Sequence, residues 1–131
     1  MIDEAARKNL SEAVIVRFST IGLDGYPHSV PVWFLLDGDD LIIFAGRNTQ
    51  KVRNIRANPK GSISIGGDPV GSPCYLIEGD ISEEDDPDHA ITARITYHYE
   101  GKAKGDEWLE LWKDDDHVIL RLRPKRVIRV G

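Results

Sequence analysis

Short segments in which apolar and polar residues alternate make up much of this chain. In the first of them Val14, Val16 and Phe18 fall on one face. Arg17 and Ser19 fall on the other, which gives the period of two that is typical of a half-buried strand. Asp-Gly turns separate the first three segments, and this predicts an antiparallel meander. The three predicted strands are residues 14–21, 27–36 and 41–45, with turns at residues 23–26 and 37–40.

Four further strands and four short helices follow from similar patterns. We expect Pro124 and Lys125 to end one strand before the next begins, and a Gly- and Pro-rich loop over residues 66–73. Six or seven antiparallel strands with short helices predict a mostly β fold closed into a barrel, because closure removes sheet edges. The strands are residues 61–65, 74–82, 118–122 and 127–130, and the helices are residues 2–12, 49–57, 90–99 and 105–113.

Composition narrows the class of protein. The 131 residues contain no repeat and no long linker, so we expect a single domain over residues 1–131. No apolar run reaches transmembrane length, and the single cysteine, Cys74, rules out a disulfide within the chain. We therefore expect a cytoplasmic protein without a membrane partner. The net charge of −5 argues against general nucleic-acid binding.

The charge is unevenly distributed along the chain. Residues 47–60 hold five basic residues and no acidic one, whereas residues 83–88 and 114–116 are acidic. Arg47, Thr49 and Lys51 surround the start of the predicted helix, whose unpaired N–H groups and partial positive charge suit an anion. This pattern predicts a phosphate site. The alternative from the residues alone is a surface helix with solvated basic side chains.

Other residues with chemical potential give weaker signals. His28 lies in the predicted second strand and shapes a substrate pocket in one interpretation, or is an ordinary half-buried histidine in the other. The remaining histidines lack close metal-ligand spacing, so we predict no metal site. Trp108 and Trp112, one helical turn apart, suggest core or dimer contacts, or stacking against a ligand. No catalytic residue is identified, which is consistent with a bound cofactor that carries the chemistry.

The order of these features resembles a known family. The chain is similar to the split β-barrel flavoproteins related to pyridoxamine phosphate oxidase, including the branch that uses the deazaflavin coenzyme F-420. The resemblance covers roughly residues 13–83, with a looser match to the end, and it implies a six- to seven-stranded antiparallel split β-barrel. The motifs that carry it are residues 16–21, 24–27, 29–34, 41–44, 51–59 and 75–79.

The resemblance implies a homodimer with a flavin-type cofactor, coenzyme F-420 or FMN, at the subunit interface. Lys51 would contact the cofactor phosphate, and backbone groups of the second strand would line the ring. Gln50 stands where relatives often have a second basic residue, so phosphate binding would either be weaker or rely on Arg47. The cofactor-binding residues implied in this way are Pro31, Val32, Trp33, Arg47, Thr49, Gln50 and Lys51.

Two functions follow from the resemblance. The first is an oxidoreductase that transfers a hydride between the cofactor and a small organic substrate. The second is a non-catalytic flavin-binding or carrier protein of the same fold. The chain lacks the longer C-terminal extension of true pyridoxamine phosphate oxidases, so we do not expect vitamin conversion. The five basic residues of 47–60 exceed the need of one phosphate, and this favours a deazaflavin with a polyglutamate tail. The alternative is that Arg53, Arg56 and Lys60 lie on the far side of the short helix, in which case FMN satisfies the site.

Overall fold

The computed structural model describes residues 2–12, 14–67 and 73–130. These residues form seven strands and three helices, with a short 3₁₀ turn, Pro87–His89, before the last helix. Most of the predicted loop over residues 66–73 lies outside the described residues. The elements are α1 (Glu4–Leu10), β1 (Val16–Ile21), β2 (Pro27–Val32), β3 (Leu35–Asp37), β4 (Asp40–Gly46), α2 (Gln50–Ala57), β5 (Lys60–Gly66), β6 (Cys74–Asp85), α3 (Ala90–Leu111) and β7 (His117–Val130).

One curled antiparallel sheet contains all seven strands, in the order β2-β1-β5-β6-β7-β4-β3. The two edge strands, β2 and β3, follow each other in the chain and are joined only by Trp33 and Phe34. Three peptide steps span at most about 11 Å, so the sheet must curl until its edges lie close together. Within the described residues no ladder pairs β2 with β3, and the barrel is split at this seam. The predicted mostly β, antiparallel split-barrel class is confirmed.

The predicted three-strand meander is wrong in one respect. Residues 27–36 are not one strand, because the chain bends at Trp33 and Phe34. The first half pairs with β1, in a register that places Ser19 opposite Ser29, and the second half pairs with β4, with Leu36 opposite Leu41. Each Asp-Gly turn therefore closes its own hairpin, one between β1 and β2 and the other between β3 and β4. These two hairpins lie at opposite edges of the sheet.

Pro124 and Lys125 do not end a strand, contrary to the prediction. β7 runs through them, and the ladder with β6 shifts register there: Gly79 lies opposite Pro124, and Glu78 lies opposite Arg126. Lys125 is the extra residue of a β-bulge, which accommodates a proline that cannot donate to the ladder. A Cβ on Gly79 would lie 2.1 Å from the Arg123 carbonyl oxygen, so only glycine fits opposite the bulge.

The core fills the inside of the curled sheet. Alternate residues of each strand face inward, as the period of two requires. α2 packs over one end through Val52 and Ile55, while α1 contributes Ala6 and Leu10. A second cluster lies between the sheet and α3 and is formed by Ile42, Ile95 and Ile119. The largest fully buried side chains are Leu10, Phe18, Phe34, Leu41, Ile42, Ile43, Ile63, Ile77, Ile95, Ile119, Leu120 and Leu122.

α3 covers the seam between the two edge strands. The Tyr99 hydroxyl donates to the Val14 carbonyl oxygen at 2.6 Å and accepts the Phe34 N–H at 3.1 Å. Its ring stacks on Trp33, with centroids 5.0 Å apart. Burial raises the pKa of the Tyr99 phenol from its usual 10.0 and so further favours the protonated form that donates to Val14. Gly101, with φ of 80°, interrupts the helix close to the predicted gap between two helices.

Candidate functional site

The predicted phosphate site is the loop between β4 and α2 together with the first turn of α2. Thr49 is the N-cap residue, but its hydroxyl donates to the Gly46 carbonyl oxygen at 2.8 Å and does not cap an amide of the helix. The amides of the first turn therefore donate no hydrogen bond to the N-cap side chain. An uncapped helix start of this kind presents N–H groups to an anion.

Lys51 lies in this first turn and is half-buried. Burial lowers the pKa of its ammonium group from the usual 10.5. Among the residues that the structure describes, no carboxylate lies within 4.0 Å of the Lys51 ammonium. A half-buried cation without a partner is unfavourable, and a bound anion would relieve that cost. Lys51 thus has the environment of an anion-binding residue.

Arg47 lies four positions earlier and is in the opposite situation. Its guanidinium contacts Asp116 Oδ2 at 2.8 Å, Asp85 Oδ1 at 3.1 Å and Glu83 Oε2 at 3.6 Å. The hydrogen bond to Asp116 and then that to Asp85 raise the pKa of the guanidinium further above its usual value. The predicted contact of Arg47 with a cofactor phosphate stays a prediction, and it requires the phosphate to compete with these carboxylates.

The other basic residues of the segment are partly neutralised as well. Arg56 makes two hydrogen bonds to Glu83, at 2.8 and 2.9 Å, and these hold the pKa of that carboxyl below its usual value against the opposing effect of burial. Arg53 donates to the Asn48 carbonyl oxygen at 2.6 Å and to Gln50 Oε1 at 2.7 Å. Two of the five basic side chains are therefore paired with acids that lie far away in the sequence.

Gln50 belongs to a chain of polar side chains that the sequence did not reveal. Its amide donates to Asn54 Oδ1 at 2.7 Å, and Asn54 donates to Thr20 Oγ1 at 3.0 Å. Asn54 and Thr20 are both buried, at 0% and 2% exposure. This network ties the start of α2 to β1. Its only sequence signal is a polar residue, Asn54, at a buried position of an amphipathic helix.

The predicted ring-binding segment, Pro31 to Trp33, lies at the end of edge strand β2. Pro31 is exposed, and it pairs with Arg17 of β1. The Trp33 ring packs under Tyr99 and meets Phe44 edge-on at 6.4 Å. Since Trp33 faces the protein, the backbone of this segment, not the indole, is available to a flat ligand. An edge strand leaves the N–H and C=O groups of one side free for such contacts.

His28 also lies on β2, opposite Thr20 in the ladder. It lines a cleft of about 360 Å³ between the β1–β2 hairpin and the start of α2, where Gln50 and Asn54 form the other wall. Its Nδ1 atom is buried and has no hydrogen-bond partner in the described part of the chain. The structure thus brings His28 and Gln50 to one cleft, and this favours the interpretation of His28 as a pocket residue.

Trp108 and Trp112 stack on each other, with centroids 5.3 Å apart. The Trp108 indole N–H donates to Glu100 at 3.3 Å. The Trp112 ring packs against the Phe44 ring, with centroids 5.6 Å apart. Both tryptophans therefore pack within the chain. In the described residues no group of three or more His, Cys, Asp and Glu side chains is arranged to hold a metal ion, and no helix is both long and apolar enough to cross a membrane.

Comparisons with known proteins agree on the fold. The sequence profile of the family described as pyridoxamine 5'-phosphate oxidase matches residues 2–131. A solved structure described as an F420 reductase is similar with a TM-score of 0.79 and 25% identity, over 97% of this chain and 98% of that one. No curated protein sequence matches this chain.

Two further solved structures show the breadth of the fold. A putative pyridoxamine 5'-phosphate oxidase from Listeria innocua has a TM-score of 0.65 and 26% identity, over 88% of this chain and 87% of that one. The heme storage protein HutZ from Vibrio cholerae has a TM-score of 0.71 and 16% identity, over 97% and 93% of the two chains. The second similarity concerns the fold alone. Solved structures of this fold thus include one described as an F420 reductase and one described as a heme storage protein.

Proposed function

This chain belongs to the pyridoxamine 5'-phosphate oxidase family, and from that premise we propose that it is an oxidoreductase using a flavin-type cofactor, coenzyme F-420 or FMN. The observation that carries the proposal is Lys51, a half-buried cation with a lowered pKa at an uncapped helix start. The similarity to a structure described as an F420 reductase supports the same cofactor class.

The residues present fit a phosphorylated, flat cofactor. Lys51 and the first amides of α2 would hold the phosphate, with the Thr49 hydroxyl beside them. Unpaired backbone groups of Pro31 to Trp33 would meet the polar edge of the ring. The bound cofactor supplies hydride transfer to a small organic substrate, while the protein orients the two reactants and excludes water.

We also propose a homodimer with the cofactor at the subunit interface. β2 is an edge strand, and a site on such an edge gains a second wall when a partner subunit covers it. The exposed apolar side chains include Tyr26 at 74% and Leu23 at 64%, beside the cleft at His28. Sedimentation at micromolar concentration is expected to give a dimer, and a purely monomeric protein would contradict this proposal.

The choice between the two cofactors rests on charge. Arg47 and Arg56 are paired with acids, so fewer cations are available for a polyglutamate tail than the sequence suggested. Lys51, Arg53 and Lys60 have no ion-pair partner among the described residues. We retain the deazaflavin as the first candidate because of the F420 reductase similarity, with FMN as the alternative.

The decisive experiment is a thermal-shift titration of the purified protein with coenzyme F-420, FMN, riboflavin and heme. A ligand that binds only the native state raises its stability by mass action, by about 2.7 kcal/mol at a hundredfold excess over Kd. We expect F-420 or FMN to raise the Tm and riboflavin, which lacks the phosphate, to raise it less. A shift with heme alone would overturn the proposal.

Hydride transfer distinguishes an enzyme from a carrier of the same cofactor. The cofactor absorbance is followed as reduced cofactor and protein are mixed with a panel of small unsaturated acceptors. Oxidation of the cofactor that requires the protein supports an oxidoreductase. Tight cofactor binding without any transfer would favour the non-catalytic carrier.

A further inference from the structure

Two histidines that lie outside the predicted cofactor site stack on each other. His89 ends the 3₁₀ turn before α3, and His117 begins β7. Their ring centroids are 4.9 Å apart, with an angle of 17° between the planes. The His117 ring also stacks on Phe44 at 5.5 Å. The pair is therefore held between α3 and the sheet.

The His117 side chain is only 10% exposed. Its Nδ1 atom has no hydrogen-bond partner among the described residues, and its Nε2 atom lies 3.9 Å from Asp115 Oδ2. Burial, and then the neighbouring His89, lower the pKa of His117 from the usual 6.5. The neutral imidazole is therefore the form that this packing accommodates.

The backbone on the other side of the pair is strained. Asp88 and His89 have φ angles of 58° and 53°, in the left-handed region that residues with side chains rarely adopt. Two consecutive residues of this kind are unusual, and such strain tends to persist where surrounding contacts enforce it. One of these contacts is a hydrogen bond between His89 Nε2 and the Asp115 carbonyl oxygen, which lie 2.8 Å apart.

The segment that contacts His89 is bonded directly to the phosphate loop. Asp116 accepts the Arg47 backbone N–H at 2.9 Å through its carbonyl oxygen, and the Arg47 guanidinium at 2.8 Å through its carboxylate. His117 pairs with Gly46 in the ladder between β4 and β7. A displacement of residues 115–117 would therefore move the loop that leads into Thr49 and Lys51.

We propose that His89 and His117 are a positioning pair, stacked so that the β4–α2 loop keeps its phosphate-binding geometry while His117 is neutral and is released when His117 is protonated. The proposal rests on the proposed function, because it concerns affinity for the phosphorylated cofactor. Neither histidine needs to touch the cofactor. Both act through Asp116 and Arg47.

The charges that face the pair determine the direction of the effect. An imidazolium at His117 would attract the carboxylates of Asp115 and Asp116 and compete with Arg47 for Asp116. The charged residues around the pair and along its cavity of about 690 Å³ are Asp85, Asp86 and Asp88 near the end of β6, Asp115 and Asp116 before β7, Arg47 after β4 and Lys113 after α3.

The sign of the pH effect follows from the lowered pKa. Because His117 binds its proton less tightly in the fold than in the unfolded chain, the stabilisation that depends on neutral His117 is present above pH 6.5. It is lost as the pH falls from 6.5 through the lower pKa of the folded state. Over the same window we expect the loop to loosen and the phosphate affinity to fall.

The first test needs no cofactor. In NMR spectra of the ligand-free protein, the His117 ring and the Arg47 backbone amide, which donates to Asp116, are followed from pH 8 to pH 5. We expect the two signals to shift with one common midpoint below 6.5. An Arg47 amide that does not follow the His117 ring would overturn the proposal and would leave the proposed function untouched.

The second test measures FMN affinity at pH 7.5 and 5.5 in the wild type and in His117→Phe, which keeps a flat ring against His89 but does not titrate. FMN itself takes up a proton near pH 6, so only the difference between the two proteins counts. We expect the wild type to lose about fivefold more affinity than the variant, at the low end of couplings between linked sites. His98→Gln, on the exposed face of α3, serves as the matched control and should behave as the wild type.

The outcomes separate the two proposals. If neither FMN nor F-420 binds at pH 7.5, the proposed function fails, and the NMR result alone decides whether the pair positions the loop. If FMN binds and the pH dependence is equal in the wild type and in His117→Phe, the positioning pair is wrong. Should His117→Phe not fold, the NMR titration of the wild type alone decides whether the pair positions the loop.

Discussion

Arg47 and Lys51 are four positions apart in the chain, and the fold places them in opposite electrostatic surroundings. Arg47, in the loop, contacts carboxylates from the end of β6 and from the turn before β7. Lys51, in the first turn of α2, is half-buried and has no acidic partner among the described residues. The basic segment of residues 47–60 thus contains cations of two kinds. One kind fixes a loop in place, and the other remains available to a ligand.

The position of each residue in the sheet explains the difference. β6 and β7 are neighbours, so the acidic ends of both strands lie together, and Arg47 reaches them from β4 on the other side of β7. Arg56 reaches the same acidic group through Glu83. Lys51, in the first turn of α2, has none of these carboxylates within 4.0 Å of its ammonium group. The comparison predicts that substitutions at the two positions change different properties.

Lys51→Ala is expected to have the largest effect. It should weaken FMN binding by about 1.5–3 kcal/mol, the range for hydrogen bonds to charged groups, because the neighbouring Arg53 is already hydrogen-bonded to Asn48 and Gln50. Isothermal titration gives the Kd. Riboflavin should lose little affinity, and Lys60→Ala, an exposed lysine on β5, is the matched control. Equal losses for FMN and riboflavin would mean that Lys51 contacts another part of the cofactor or only supports the fold.

Asn54→Leu tests the network that holds the start of α2. The substitution leaves the Gln50 amide and the buried Thr20 hydroxyl without their present partner, which should lower the free energy of unfolding by about 1–3 kcal/mol. Chemical denaturation measures this change. The double variant with Thr20→Val removes both buried groups and should recover part of the loss. Unchanged stability in Asn54→Leu would show that the network does not hold α2.

Arg47→Gln should affect the loop more than the ligand. We expect a loss of FMN affinity clearly smaller than that of Lys51→Ala, because the removed guanidinium was already paired with carboxylates. The NMR signals of residues 46–49 should shift in the free protein, since a contact that orders this loop is gone. A loss as large as that of Lys51→Ala would show that Arg47 itself binds the phosphate, as the sequence suggested.

Glu83→Gln should have the smallest effect, and the informative result is whether the affinity for F-420 rises or falls. The substitution frees Arg56 and removes one of the acids around Arg47. Affinity for an F-420 with a long glutamate tail should rise about twofold, and the gain should disappear in high salt. FMN, which has no tail, is the control ligand. If Glu83→Gln leaves both affinities unchanged, the arginines do not face the tail.

Local patterns predicted local structure well. The Asp-Gly turns, the strand at residues 41–45 and the helix that starts after Thr49 all lie where the sequence places them, because each depends on residues close in the chain. The bend at Trp33 was missed, because nothing local shows that residues 27–32 and 35–37 pair at opposite edges of the sheet. The Pro124 bulge was missed for a related reason: the partner strand accommodates it through Gly79.

The candidate site divides in the same way. The basic segment and its helix start were visible in the sequence, and so was Lys51. The neutralisation of Arg47 was not, because Asp85 and Asp116 are 38 and 69 residues away in the chain. The stacking of His89 on His117 depends on a left-handed backbone at His89. No pattern in the sequence predicts that conformation for a histidine.

The place of β7 in the sheet has a consequence for biosynthesis. β7 lies between β6 and β4, and it follows every other strand in the chain. Until the ribosome has made it, β4 pairs only with the short β3, and the apolar side chains of Leu41 and Ile43 lack the neighbouring strand that buries them. A nascent chain stalled before residue 117 should therefore be sensitive to protease and bound by chaperones, and resistance should arise only once the last strand has left the exit tunnel.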